Sequence, residues 1–209
     1  MNNPLAQHDL VVVVADKDME FAVRGILSRQ QALNIRPVST DIFTHPEHDP
    51  GCYLRSHTFV GSMVRKYSKA IVLFDRDGCG AEERTREQLE TDVETRLENS
   101  GWKGRSRAVV LDPELEVWVW SDSPHVERIL GWRNRSSQLQ NWLIEGHLWQ
   151  EGAAKPRAPK EAMEAVLRMT KLPRSASRYR QLAEAVSFDR CTDAAFLKLK
   201  NTLQTWFPQ

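Results

Sequence analysis

The run Leu10-Val11-Val12-Val13-Val14-Ala15 has no polar side chain, and it constrains the fold more than any other stretch. A strand with one face in water alternates apolar and polar residues. A β-branched run apolar on both faces belongs in the middle of a parallel sheet covered on both sides. Lys69-Ala70-Ile71-Val72-Leu73-Phe74 and Arg107-Ala108-Val109-Val110-Leu111 read as further buried strands, and a fourth is expected over residues 35–43. Helical patterns fall between them: residues 19–27 with Phe21, Val23, Ile26 and Leu27 on one side, residues 53–67, and residues 81–99 with Leu89, Val93 and Leu97. Residues 44–51 carry two prolines and a glycine and read as a loop. Strands alternating with helices require right-handed crossovers and a mainly parallel sheet. Such sheets carry their chemistry in the loops beyond the carboxyl ends of the strands.

After residue 131 the pattern becomes helical, with Trp142, Leu143 and Leu148 assigned to one short helix. A Pro/Gly/Lys-rich connector follows over residues 151–159, then three helices over residues 160–169, 175–186 and 192–207. This divides the chain into an α/β domain (residues 8–150) and a C-terminal helical domain (residues 151–209).

The net charge of +1 argues against a chain wholly dedicated to coating nucleic acid. Its distribution is uneven. Residues 151–209 carry 11 Lys/Arg against 6 Asp/Glu, while the body carries 18 against 22. An acidic body with a basic end suits a metal site beside a polyanion, and equally a helical tail with solvated faces. The three cysteines are an odd number and widely spaced, which fits a reducing compartment. Residues 1–8 lack the basic start and apolar run of a signal peptide, and no segment approaches the ~20 apolar residues of a membrane span. The expectation is a soluble cytoplasmic protein without a membrane partner.

Acidic residues collect at the strand ends. Asp16 and Asp18 follow the first strand, Asp75-Arg76-Asp77-Gly78-Cys79-Gly80 follows Phe74, and Asp112-Pro113-Glu114-Leu115-Glu116 follows Leu111. Two carboxylates one residue apart in a tight turn offer hard oxygen ligands, which suit magnesium, manganese or calcium rather than zinc. Gly78 and Gly80 let the backbone turn sharply and a phosphate approach. The bland alternatives are a turn at Asp75 and Asp77, N-capping by Asp18, and dipole-favoured acids at Glu114 and Glu116 in a helix over residues 113–121.

Acid after the first strand, Asp-x-Asp after a later one and further acids after the next resemble the pattern of TOPRIM domains, found in primases, topoisomerases and OLD-type nucleases. Pro113-Glu114-Leu115-Glu116-Val117-Trp118 and Ser121-Asp122 look like small bacterial TOPRIM-like proteins related to RloB and OLD nucleases, many linked to phage defence. Ser175, Tyr179, Ala195-Phe196 and Trp206-Phe207 extend the similarity into the tail.

The resemblance implies a four-stranded TOPRIM-like sheet flanked by helices. It implies Mg2+ (or Mn2+) held by Asp75 and Asp77, with Glu116 and Glu114 completing the shell or holding a second ion. The implied reaction is phosphodiester hydrolysis on nucleic acid, within a defence system of several proteins. The acid–base candidates are Asp16 and, one helical turn further on, Glu20. The family usually has glutamate there, commonly within Glu-Gly, and Asp16 is one methylene shorter. This departure keeps a non-catalytic accessory subunit, binding nucleic acid or a partner protein, in view beside the enzyme.

His45, His48, Cys52 and His57 are zinc-type ligands, but their spacing matches no ordinary zinc module. His48 and Asp49 are instead assigned, with Arg76, to substrate binding at the cleft. Trp118 and Trp120 are read as packing residues before base-stacking ones. Lys103, Arg105, Arg107, Arg133 and Arg135 are read as a solvated face before a phosphate track.

Overall fold

A computed structural model describes residues 8–133 and 135–209, so the signal-peptide reading falls, except for His8, outside the described residues. The strands are β1 (His8–Val14), β2 (Thr40–Thr44), β3 (Tyr67–Asp75) and β4 (Ser106–Leu111). They form one all-parallel sheet in the order β2-β1-β3-β4. The two long apolar runs are the two central strands, and residues 10–15 and 70–74 are buried throughout. This is what their two-sided hydrophobicity demands.

Helix α1 (Lys17–Leu27) joins β1 to β2, α3 (His48–Phe59) joins β2 to β3, and α4 (Arg86–Leu97) joins β3 to β4. A short α2 (Gln30–Leu33) follows α1. In this strand order, right-handed crossovers put α3 and α4 on one face and α1 on the other. After β4 come α5 (Pro124–Ile129), α6 (Leu139–Glu145), α7 (Pro159–Thr170), α8 (Ala176–Ala185) and α9 (Ala194–Trp206). Helix α8 lies along α1. The approach is close enough that a Cβ on Gly25 would stand 2.8 Å from both the Ala183 Cβ and the Arg180 carbonyl oxygen.

Several boundaries differ from expectation. The second strand begins at Thr40 rather than at residue 35, because Ile35 bridges to Pro208 and Pro37 interrupts the segment. Helix α3 starts inside the expected loop: Pro50 sits in its first turn, where a missing N–H costs nothing. It also ends before the expected residue 67, since Tyr67 already opens β3. Helix α4 starts at Arg86 rather than 81, capped by Thr85 in a reciprocal box with Gln88. The helix expected over residues 113–121 is only a 3-10 turn, Leu115–Trp118, and Leu148 lies beyond α6.

Strand β4 is an edge strand, and side chains occupy its outer N–H groups. Ala108 donates to Glu94 (3.0 Å) and Val110 to Glu90 (3.1 Å). Lys198 of α9 reaches both carboxylates, at 2.9 and 3.1 Å.

Candidate functional site

The carboxyl ends of β1 and β3 lie side by side, and the acids that follow them share one corner of the sheet. Asp75 is the last residue of β3. Its Oδ1 is shielded from solvent and has no hydrogen-bond partner. Burial, and then the charges of Asp49, Glu116, Asp16 and Glu114, push its carboxyl well above the ordinary value. An unpartnered buried oxygen among four like charges is costly, and natural structures rarely leave one unexplained.

Asp49 comes to Asp75 through the entry to α3. The His45 N–H donates to the Val14 carbonyl (2.8 Å), and the His48 ring Nδ1 lies 3.0 Å from the Ala15 carbonyl. His48 takes φ +51°. The loop is thereby fixed to the end of β1, and Asp49 Oδ1 accepts the Asp75 N–H at 2.8 Å. Gly51 makes this loop feasible, since a Cβ there would meet the His45 ring at 2.1 Å. Burial also raises the Asp49 carboxyl. Asp16 N-caps α1, its Oδ1 accepting the Met19 N–H at 2.8 Å. The capping role considered for Asp18 therefore belongs to Asp16.

The other sequence-chosen residues are placed differently. Asp77 is exposed, its N–H donating to the Pro113 carbonyl (3.0 Å), and it is not one of the four charges that act most strongly on Asp75. Arg76 grips both oxygens of Asp112 at 3.0 Å. The N–H groups of Gly78 and Gly80, read as a phosphate approach, both donate to Glu82 Oε1 at 3.0 Å. Glu20 accepts from Arg24 (2.9 Å), Thr44 (3.3 Å) and Lys17 (3.4 Å), on the β2 side of α1. Burial raises its carboxyl, but Arg24 and Lys17 outweigh that and hold it below its ordinary value.

Glu116 and Glu114 flank the site from the β4 side. Glu116, 1% exposed, accepts the Tyr179 O–H at 2.5 Å and Arg174 Nη2 at 3.1 Å. Glu114 accepts the Lys160 N–H at 3.1 Å, with the Lys160 ammonium at 3.7 Å. Arg174 also pairs with Asp18 at 2.9 Å. Arg174 and Lys160 carry no local signature in the sequence, and Tyr179 is marked there only by the resemblance of the tail. Only an acid-rich corner needing cations from elsewhere hints at them.

Among the described residues, no group of three or more His, Cys, Asp or Glu side chains stands ready to chelate a metal ion. The acids share a field, and Asp75 supplies the free oxygen. That donor set is all carboxylate, which suits a hard cation. Trp118, Trp120 and Arg105 are taken up by contacts within the fold. Trp118 donates to Asp193 and meets Phe196 edge-on, Trp120 donates to the Pro159 carbonyl and meets Trp149, and Arg105 is spent on the carbonyls of Val64, Tyr67, Ser68 and Gly101. Among the described residues no helix is long and apolar enough to cross a membrane. Comparisons with protein-family models, curated proteins and solved structures gave no match.

Proposed function

We propose that this chain binds a divalent cation, Mg2+ or Mn2+, at Asp75 and hydrolyses phosphodiester bonds of nucleic acid. The observation that carries the proposal is the shielded, unpartnered Oδ1 of Asp75 at the carboxyl edge of a parallel sheet, amid Asp49, Asp16, Glu116 and Glu114. Asp75 is the first ligand in this reading, with Asp49, hydrogen-bonded to its backbone, as the further donor from the entry to α3. Such a cation, when bound, supplies Lewis-acid polarisation of a phosphoryl oxygen. Asp16 spends one oxygen on its helix cap and takes a proton from water on the other. Glu116 and Glu114 add negative potential from behind, held by Tyr179, Arg174 and Lys160.

The sequence resemblance to TOPRIM-like proteins related to RloB and OLD nucleases supports the same chemistry. On that resemblance rest the TOPRIM-like reading of the fold with its C-terminal helical domain, and the placing of the protein in a bacterial anti-phage defence system with partner proteins. The test is incubation of the purified chain with supercoiled plasmid, single-stranded DNA and RNA in Mg2+ or Mn2+. Cleavage that disappears in Asp75→Asn is the expected result. Intact substrates with wild-type protein overturn the enzyme.

A second reading has its own support. The glycine loop is filled by Glu82 and Arg76 is held by Asp112, so neither stands open to a substrate phosphate. Retained nucleic-acid binding without cleavage would identify a non-catalytic accessory subunit.

A further inference from the structure

The two edges of the sheet are treated in opposite ways. On β4 the outer N–H groups of Ala108 and Val110 are taken by Glu94 and Glu90. On β2 the odd-numbered residues bond to β1: the Leu10 N–H donates to the Ser39 carbonyl at 3.1 Å and the His45 N–H to the Val14 carbonyl at 2.8 Å, with Val12 in register with Ile42. The N–H and C=O groups of Thr40, Ile42 and Thr44 therefore point outward. Among the described residues, none hydrogen-bonds to these backbone groups. The strand contains no proline, lysine or arginine. Its one charged residue, Asp41, leans back across β1 to the Tyr67 hydroxyl on β3 at 2.6 Å, so it does not guard the edge. Ile42 and Phe43 are only partly buried there.

We infer that β2 is the interface of a two-fold dimer, pairing antiparallel with β2 of a second copy so that two four-stranded sheets become one. The guarded β4 decides the occupant. One copy cannot add its β2 to the β4 of another, so an open-ended stack is blocked and the pairing of copies closes at two. The two-fold axis passes beside Ile42. In that register Ile42 meets the Ile42 of the second copy, Thr40 meets its Thr44, and Asp41 meets its Phe43. All three outward N–H groups of each copy then find an outward carbonyl, six bonds in all. The neighbouring registers are worse. An axis at Asp41 sets the two carboxylates directly opposite each other, and an axis at Phe43 brings Thr40 to Pro46, which has no N–H to give.

The experiment is sedimentation equilibrium of the full chain, paired with hydrogen exchange at the amides of Thr40, Ile42 and Thr44. Wild type is expected at twice the chain mass of 24.0 kDa, with these three amides gaining protection as protein concentration rises. Thr40→Lys combined with Thr44→Lys puts like charges opposite each other at both outer pairs. Thr40→Glu combined with Thr44→Lys puts opposite charges there. The first double variant should have a dimer Kd roughly tenfold above the second. A wild-type monomer, an assembly larger than two, or a dimer whose β2 amides exchange freely would overturn the inference and leave the cation-binding reading untouched. Equal dissociation constants for the two double variants would overturn the register. Should either variant not fold, as checked by circular dichroism, the wild-type mass and exchange still decide.

Discussion

Asp75→Asn is expected to stabilise the metal-free protein. The substitution keeps the shape and removes the charge from beside Asp49, Glu116, Asp16 and Glu114, which with burial raise the Asp75 carboxyl. Leaving a buried polar group unsatisfied costs about 1–3 kcal/mol. The asparagine oxygen inherits part of that cost, so the gain should fall near the lower end, about 1 kcal/mol, or roughly 2–4 °C in Tm for a chain of this size. A cation reverses the order. At a concentration about 100 times its Kd it adds about 2.7 kcal/mol to wild type alone.

The pH dependence follows from the raised carboxyl. In the folded chain Asp75 holds its proton above the ordinary value of 3.8, so its destabilising effect grows as pH rises past that value. The gap between variant and wild type should close as pH falls to it. Urea denaturation in EDTA and in Mg2+, at several pH values, reads all three effects. A variant less stable than wild type in EDTA, or equal gains from Mg2+ in both proteins, would refute the reasoning.

Gly25→Ala should destabilise the chain by about 1–3 kcal/mol, because the added methyl meets a backbone oxygen of α8 at 2.8 Å; an unchanged urea midpoint would show that the two helices separate freely. Asp9 is held down to about 2 by the hydrogen bond from Arg36, against burial and with help from Ser39. Its contribution is present above 3.8 and lost as pH falls toward 2; the full shift is worth about 2 kcal/mol, reduced to about 1 because the Arg36 side chain is 44% exposed. Asp9→Asn should show that loss at pH 7 and converge on wild type near pH 2, in denaturation curves at both values.

The central strands were legible because burial on both faces leaves only one kind of residue to choose from, as in Leu10 to Ala15 and Ala70 to Phe74. Helix α3 was not, since Pro50 and Gly51 signal a loop unless one knows that the proline falls in a first turn and the glycine lies under His45. The Thr85-to-Gln88 capping box was a readable sign of where α4 starts. At the candidate site, Asp75 follows from its strand, but its neighbour does not. Sequence proximity favours Asp77, two residues on, whereas the adjacency of β1 and β3 and the left-handed turn at His48 bring Asp49. Arg174 and Tyr179 meet Glu116 across folded chain, and no periodicity marks such a meeting.

Two carboxylates of α4 seated against β4 determine where the sheet stops. An outer strand with open N–H groups is a template on which another chain can build, and proteins commonly cover such edges. Here Glu90 and Glu94 already occupy the donors of Val110 and Ala108, and Lys198 keeps the two negative charges together. Protection of the sheet against intermolecular pairing at this edge therefore comes first from α4, which precedes β4 in the chain, and the last helix completes it by holding the two charges together.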